Sequence, residues 1–200
     1  MNFIGHAYIA RNSPELIPGN FAGDSYKGNL KKFHFLPLHI QQGIALHRFI
    51  DNYTDTSLLI KSVGKMFQSH GVTKVAYIAT DILLDHYITK NWNQFSSKSY
   101  VDFISLIYKY TDKNLVYLEE EFCFLYAKLK EQKWLHQYPS QEGIELILWQ
   151  FSKRLGFSND LLKCMEIYRN NIEEIDRIFG EFMREINQHS LRFIDDLNEN

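Results

Sequence analysis

The sequence lacks a disulfide framework and any segment long enough to cross a bilayer. Its only two cysteines, Cys123 and Cys164, form no CxxC pair and lie in separate core-like stretches. Unpaired thiols of this kind predict a reducing compartment, so we expect a cytoplasmic protein. No stretch approaches the roughly 18 uncharged apolar residues of a membrane helix, and no basic region followed by a long apolar run is present near Met1. The sequence therefore predicts neither membrane insertion nor secretion.

Proline is scarce, and the alternating pattern of β-strands is missing. Between the four prolines, Pro14, Pro18, Pro37 and Pro139, apolar residues recur with helical spacing. Apolar residues make up 45% of the 200-residue chain, which is enough for one sizeable core. We predict an all-α protein in which residues 1–200 form a single compact domain of about seven or eight helices.

Signatures of covalent catalysis and of nucleic-acid binding are also missing. The chain contains no G-x-S-x-G, P-loop or H-E-x-x-H motif, and neither cysteine has a nearby base. This absence favours a metal-activated water over a covalent intermediate. The net charge is −2, and the twelve tyrosines and fifteen phenylalanines are scattered at core spacing. These residues do not predict a stacking platform, so we expect no nucleic-acid partner.

Local signals mark several helix boundaries. Pro37 is placed to open a long helix, and His70-Gly71 to end the helix over residues 57–69. Residues 134–139 predict a turn, after which Ser140 caps another helix. A break at Asn170-Asn171 divides the last helical stretch.

The long helix after Pro37 carries His47, Asp51 and Asp55 at intervals of four residues. At about 100° per residue this spacing stacks the three side chains along one face, close to the apolar Ile40 and Ile44. A buried histidine beside a carboxylate needs a partner. A divalent metal satisfies that need, and so does a His–Asp hydrogen bond within a core.

A second helix repeats the pattern with Asp81 and Asp85, which lie within an apolar stripe. Two carboxylates in such a stripe repel each other unless a cation lies between them. Inward-facing acidic residues on two helices, with histidine nearby, are typical of hard-metal sites in helical proteins. Neighbouring helical side chains diverge by about 100°, so His86 and Asp85 cannot both face one metal squarely unless the site is broad. Arg48 follows His47 directly, so its side chain also points away from that of His47. We expect Arg48 at the rim of the metal site, where a guanidinium could bind a phosphate.

Two further candidates lie nearer the N-terminus. Asp24 is in the glycine-rich segment 19–32, where aspartates usually serve turns. It becomes a site residue only if the fold brings it to His47 and Asp51. His6 could reach the same place, although a single histidine on an apolar face is more often a satisfied core residue.

Five motifs occur in a recognisable order. They are M-N-F-I-G-H at Met1–His6, G-N-F-A-G-D-S-Y-K-G at Gly19–Gly28, H-R-F-I-D-N-Y-T-D at His47–Asp55, D-I-L-L-D-H at Asp81–His86 and W-L-H-Q-Y at Trp134–Tyr138. This order resembles the acyl carrier protein phosphodiesterase family, helical proteins regarded as distant relatives of the HD-domain phosphohydrolases. The resemblance covers most of the chain, and the central motif is specific.

Two positions depart from the family's motifs. Ser25 stands where phenylalanine is usual, and Tyr8 stands where a second N-terminal histidine is frequent. Neither departure removes a residue assigned to metal.

The resemblance implies hydrolysis of the phosphodiester that joins 4′-phosphopantetheine to a serine of holo-acyl carrier protein. It also implies a hard cation, Mn²⁺ or Mg²⁺, since the ligands would be mainly oxygen atoms. The residues expected to hold this cation are Asp24, His47, Asp51, Asp81 and Asp85.

The resemblance implies roles for the remaining candidates as well. Lys27 and Arg48 would hold the phosphate or stabilise charge in the transition state. His86 or His6 would give a proton to the serine oxygen or orient another group. A basic rim of Lys27, Lys31, Lys32 and Arg48 would attract the acidic carrier protein.

Two alternatives fit the same residues. One is an HD-type phosphohydrolase that acts on a nucleotide or a small phosphodiester. The other is a non-enzymatic helical module that binds a carrier protein around a structural His–Asp core.

Overall fold

A computed structural model of the protein describes residues 1–199, which form twelve α-helices and no β-strand. The helices are α1 (Phe3–Ile9), α2 (Ile17–Phe21), α3 (Leu38–Thr56), α4 (Leu58–Ser69), α5 (Ala76–Lys90), α6 (Trp92–Phe95), α7 (Tyr100–Asn114), α8 (Glu120–Glu131), α9 (Trp134–Gln137), α10 (Gln141–Arg154), α11 (Lys163–Asn170) and α12 (Ile172–Glu199). Short 3-10 turns occupy Pro14–Leu16, Gly23–Ser25, Leu30–Phe33 and Leu115–Tyr117. The predicted all-α class is confirmed.

The structure has twelve α-helices where seven or eight were expected, and the difference comes from short segments. Helices α1, α2, α6 and α9 are seven residues long or shorter. Helix α9 lies where a turn was expected, because Trp134 and Leu135 are buried within a single helical turn. One turn is too short to show a 3.6-residue period in the sequence.

Several predicted boundaries agree with the structure. Pro37 directly precedes α3, and the Ser140 hydroxyl accepts a hydrogen bond of 3.0 Å from the amide of Gly143 at the start of α10. Gly71 follows α4 with φ +89°, a conformation that glycine adopts without steric cost. The break at Asn170-Asn171 separates α11 from α12.

Helix α5 is the most enclosed of the long helices. It packs against α1, α4, α10 and α12, and eleven of its fifteen residues are buried. Polar residues on such a helix cannot turn to water and must find partners inside the protein. This constraint decides the roles of Asp85 and His86.

Close contact between α2 and α3 positions the candidate site. A side-chain carbon on Gly43 of α3 would lie 2.5 Å from the carbonyl oxygen of Leu16 and 2.8 Å from the amide nitrogen of Asn20. Only glycine permits this approach, which brings the backbone of Asn20 against His47. Across residues 1–199, no helix is both long enough and apolar enough to span a membrane.

Candidate metal centre

Three side chains from two helices meet beneath the glycine-rich segment. His6 comes from α1, and His47 and Asp51 come from successive turns of α3. His6 Nε2 lies 3.0 Å from Asp51 Oδ1, and His47 Nε2 lies 3.0 Å from Asp51 Oδ2. The two imidazoles stack with ring centres 4.2 Å apart. One potential ligand atom from each residue lies within 4.8 Å of the other two, a spacing that suits a single metal ion.

Asn20 orients both imidazoles. Its side-chain nitrogen donates to the carbonyl oxygen of His6 at 2.8 Å, so its Oδ1 faces His6 Nδ1 at 3.0 Å. His47 Nδ1 lies 2.8 Å from the backbone carbonyl oxygen of Asn20. Because both partners are oxygen acceptors, each Nδ1 carries the hydrogen. In the neutral rings, the lone pairs therefore lie on the two Nε2 atoms that face Asp51.

The donor atoms fit a divalent cation. His47 Nε2 is buried, and its approach to Asp51 lacks hydrogen-bond geometry, so the nitrogen has no hydrogen-bond partner in the described chain. A neutral imidazole would direct a lone pair at a carboxylate oxygen, which is unfavourable without a proton or a metal between them. Histidine ligands in metal sites usually donate their second ring N–H to an oxygen atom, as both rings do here.

The electrostatics of the protein without metal favour a proton in this position. Burial lowers the pKa of His47, but Asp24 and Asp51 outweigh it and raise the pKa to about 9. Burial raises the pKa of Asp51, but the adjacent His47 and His6 hold it well below its ordinary value. Burial and neighbouring His47 lower the pKa of His6. At neutral pH, His47 therefore carries the positive charge that a metal would replace.

The glycine-rich segment brings Asp24 to this cluster, as the hypothesis for that residue required. Asp24 lies in the 3-10 turn Gly23–Ser25, and its Oδ1 is 3.6 Å from His47 Nε2. A side-chain carbon on Gly23 would overlap the His47 ring, so glycine is needed for this contact. The Asp24 side chain is 87% exposed and stands at the mouth of the site.

The predicted ligands Asp81 and Asp85 have other partners. Asp85 is completely buried and accepts hydrogen bonds from the amides of Asn2, Ile4 and Gly5 at 3.3, 2.7 and 3.0 Å. Asp81 Oδ1 lies 2.6 Å from the ammonium group of Met1. The sequence pattern placed Asp85 inside the protein, where amides at the start of α1 surround it, and the cation beside Asp81 is the ammonium group of Met1. Neither aspartate belongs to the cluster formed by His6, His47 and Asp51.

The predicted catalytic residue His86 lies apart from the cluster as well. Its Nδ1 is 2.6 Å from the carbonyl oxygen of Tyr138, and its ring packs edge-on against Tyr168. Burial lowers its pKa. The divergence of neighbouring side chains on α5 explains the separation, because Asp85 faces α1 whereas His86 faces the residues around α9 and α11.

The residues predicted to bind phosphate lie at the surface near Asp24. Arg48 donates a hydrogen bond of 2.9 Å to the carbonyl oxygen of Tyr26, which directs it along the segment that carries Asp24. Lys27 is exposed and lines the same cavity as Asp24. Lys31 and Lys32 are exposed on the next 3-10 turn.

Sequence reasoning undervalued His6 and gave Asn20 no role. The motif at Met1–His6 was a usable signal for His6, and the Gly19-Asn20 pair was a signal for Asn20. Their function depends on the packing of α1 against α2 and of α2 against α3, which a single helical wheel cannot show.

Replacing Asn20 by alanine is expected to weaken binding of a divalent cation about 10- to 100-fold, the usual effect of losing a group that orients a metal ligand. His6 would lose the acceptor for its Nδ1 hydrogen. Isothermal titration calorimetry measures the change, and Asn12→Ala, at an exposed asparagine after α1, is the control. Unchanged affinity in folded Asn20→Ala would show that Asn20 does not orient the ligands.

The helical fold and the imidazole–carboxylate cluster define this chain as an all-α protein with a candidate divalent-metal centre. Comparison with protein families makes the class specific. The model of the family described as acyl carrier protein phosphodiesterase matches residues 1–186. The chain belongs to this family, so the resemblance drawn from its motifs is confirmed.

Individual relatives agree over nearly the whole chain. The protein named acyl carrier protein phosphodiesterase in Photorhabdus laumondii is 28% identical to this chain over 183 residues, which is 91% of each of the two chains. The protein of that name in Klebsiella pneumoniae strain 342 is 29% identical over 92% of this chain and 96% of its own. The one in Yersinia enterocolitica is 31% identical over 91% of this chain and 93% of its own. These names confirm the predicted enzyme class, phosphodiester hydrolase.

No solved structure matched the chain. The kinship with HD-domain phosphohydrolases therefore stays a prediction.

Proposed function

We propose that this protein is a metal-dependent phosphodiesterase that removes 4′-phosphopantetheine from the serine of holo-acyl carrier protein, leaving apo-acyl carrier protein. The observation that carries the proposal is the convergence of His6, His47 and Asp51, with Asp24 at the mouth, in a chain of this family. A hydrolase for an anionic diester needs a positive centre open to substrate on one side. The exposed side of Asp24 offers that opening.

The donor set favours Mn²⁺ over Mg²⁺. Two imidazole nitrogens and one carboxylate suit Mn²⁺ better than Mg²⁺, which prefers oxygen ligands and retains its waters. A divalent cation held by these residues supplies positive charge for the phosphoryl oxygens and lowers the pKa of a bound water. The proposed ligands differ from the oxygen-rich set expected from the sequence. His6 is added, and Asp81 and Asp85 are left out because they have other partners.

The protein's own side chains hold the substrate and manage the proton. Asp24 lies beside the cluster and is exposed, so it can accept a proton from an attacking water or bind the cation directly. Lys27 is on the same segment as Asp24, and Arg48 of α3 donates a hydrogen bond to that segment at Tyr26, so both are suited to contact the non-bridging phosphate oxygens. His86 has no part in this arrangement, because the Tyr138 carbonyl holds it elsewhere.

Incubating the protein with holo-acyl carrier protein tests the proposal. A mass spectrum of the carrier is expected to show loss of the phosphopantetheine mass with Mn²⁺ and an unchanged mass with EDTA. An unchanged carrier under both conditions, with several carriers and folded protein, contradicts the proposal. A panel of nucleotides with Mn²⁺ then tests the HD-type alternative, and complex formation without turnover or bound metal would support the binding-module alternative.

The rate is expected to fall with ionic strength. The exposed Lys27, Lys31 and Lys32, with Arg48 beside them, form the basic rim that we propose steers the acidic carrier. Measuring kcat/KM between about 20 and 300 mM salt spans the range in which screening becomes effective. A flat profile would contradict steering by the rim.

Mn²⁺ affinity is expected to rise about tenfold per pH unit below pH 9, because the metal must displace the proton on His47. The pKa of about 9 means that this nitrogen is protonated through the neutral range, and that the rise levels off near pH 9. Calorimetric titration in buffers of different ionisation enthalpy counts the released proton. An affinity independent of pH from 6 to 8 would show that His47 does not bind metal through Nε2.

The proposed location is the cytoplasm, where the free thiols of Cys123 and Cys164 remain reduced.

A further inference from the structure

A large groove leads away from the metal centre. It encloses about 790 Å³ and is lined by residues of α8 and α10 together with the segment around Asp24. Phe21, Phe122 and Leu129 are buried apolar residues along it, whereas Phe124 and Trp149 are 65% and 48% exposed. Its size is typical of a small-molecule pocket, and its largely apolar lining suits a mostly uncharged ligand.

Trp134 and Gln150, two residues of the groove lining, each carry a buried polar atom without a hydrogen-bond partner among residues 1–199. Trp134 is 7% exposed, and its indole Nε1 is buried without a partner in the described chain. The side-chain oxygen Oε1 of Gln150 is also buried without a partner. Buried polar atoms are rarely left unpaired, and a ligand that carries both a carbonyl oxygen and an N–H would satisfy these two once their side chains turn toward the groove. An amide is the simplest group that carries both.

The groove and the metal centre share Asp24. Asp24 and Lys27 line one part of the groove, and Asp24 Oδ1 is also 3.6 Å from His47 Nε2. Lysines stand over the two exposed aromatic rings: Lys128 Nζ is 4.2 Å from the ring centre of Phe124, and Lys153 Nζ is 5.8 Å from that of Trp149. A ligand in the groove can therefore place an anionic end near the metal cluster. The apolar remainder of the ligand would then pack against Phe124 and Trp149, beside their lysines.

We propose that this groove is the binding site for the pantetheine arm of the substrate, a proposal that rests on the function proposed above. The arm has a phosphate at one end, a dimethyl-substituted carbon next to it, two amides along its length and a thiol at the far end. Each part has a counterpart here: the metal centre for the phosphate, the phenylalanine and leucine lining for the methyl groups, and Trp134 with Gln150 for an amide. The folded carrier protein remains outside, against the basic rim.

Free pantetheine and apo-carrier separate the two halves of the substrate and so test the proposal. Phe124→Ala and Trp149→Ala change exposed side chains and are expected to fold normally. Each is expected to weaken inhibition by pantetheine about tenfold and to raise KM for holo-carrier by a similar factor, with kcat little changed. Their affinity for apo-carrier, which lacks the arm, is expected to remain that of the unmodified protein. Phe157→Ala is the control, since Phe157 is 45% exposed and lies outside the groove lining.

Three outcomes distinguish failure of this proposal from failure of the proposed function. Unmodified protein that cleaves holo-carrier, with both groove variants retaining its KM and its inhibition by pantetheine, overturns the groove assignment alone. Groove variants that lose affinity for apo-carrier show that the groove binds the carrier's surface, which also overturns the assignment. If the unmodified protein cleaves no carrier, calorimetric titration with pantetheine still tests the groove assignment. Binding that is abolished in Trp149→Ala supports the assignment, and absence of binding to the unmodified protein overturns it.

Discussion

Asp51→Ala is expected to lower kcat/KM by more than about a hundredfold, beyond the usual effect of losing a group that merely orients a ligand. Among residues 1–199, Asp51 is the one carboxylate whose oxygens approach both His6 Nε2 and His47 Nε2. Without it, two stacked imidazoles remain, and nothing in the three-residue cluster offsets the charge of a divalent cation. The assay is hydrolysis of holo-carrier at saturating Mn²⁺, with bound metal measured on the same samples.

Asp55→Ala provides the matched control. Asp55 lies one turn further along α3, is exposed, and is outside the cluster. The variant has the same change in net charge and is expected to keep its activity within about twofold, as for most surface substitutions. Because the Asp51 side chain is 40% exposed, its ion pair adds little to stability, and both variants are expected to keep the helical circular dichroism signal. Equal loss of activity in the two variants would contradict the assignment.

Asp85→Ala is expected to destabilise the protein by about 3 kcal/mol, because three amides would lose their acceptor in a fully buried site. Those amides begin α1, the helix that carries His6. The loss should therefore also loosen His6 and weaken metal binding. Urea denaturation measures the free energy of unfolding. Asp85→Asn is expected to lose less stability than Asp85→Ala, because the asparagine side chain keeps one acceptor oxygen.

The metal-free protein separates this structural role of Asp85 from the ligand role expected from the sequence. A buried ligand carboxylate without its metal is a source of repulsion and desolvation, so its removal would leave stability unchanged or increase it. A cap for α1 predicts the opposite, a large loss of stability with no metal present. An Asp85→Ala variant of unchanged stability that fails to bind Mn²⁺ would restore Asp85 to the ligands.

Burial raises the pKa of Asp85, whereas the N-terminal charge and the three amides lower it. The effect of burial is the larger, and the pKa is raised to about 7. A raised pKa means that the folded state binds this proton more tightly than the unfolded state. The resulting stabilisation is complete below the ordinary carboxyl pKa and is lost as the pH rises through about 7. In Asp85→Asn this slope should disappear from the pH profile of stability.

Local periodicity predicted the parts of the site that lie on one helix. The four-residue interval between His47 and Asp51 was sufficient to predict their contact, because side chains at i and i+4 of a helix are neighbours in any fold. The same reasoning placed both Asp81 and Asp85 inside the protein, which is correct for Asp85, whereas the Asp81 side chain is 35% exposed. It could not identify the partner of Asp85, since backbone amides at the start of another helix leave no pattern in the sequence.

Contributions from other elements required tertiary packing. His6 and Asn20 reach His47 because α1 and α2 lie against α3 and α5, and Asp24 arrives on a turn whose position depends on Gly23. Motif order indicated that these segments belong together without showing how. The groove depends on α8 and α10, whose sequences show only ordinary helical amphipathicity.

Electron paramagnetic resonance of bound Mn²⁺ tests the metal centre most directly. Pulsed measurements detect hyperfine coupling from ¹⁴N nuclei bound to the ion, so they count histidine ligands. We expect one Mn²⁺ per chain coupled to two nitrogens, from His6 and His47, with one coupling lost in His6→Ala and binding lost in Asp51→Ala. Bound Mn²⁺ without nitrogen coupling, or coupling that survives unchanged in His6→Ala, would contradict the centre described here.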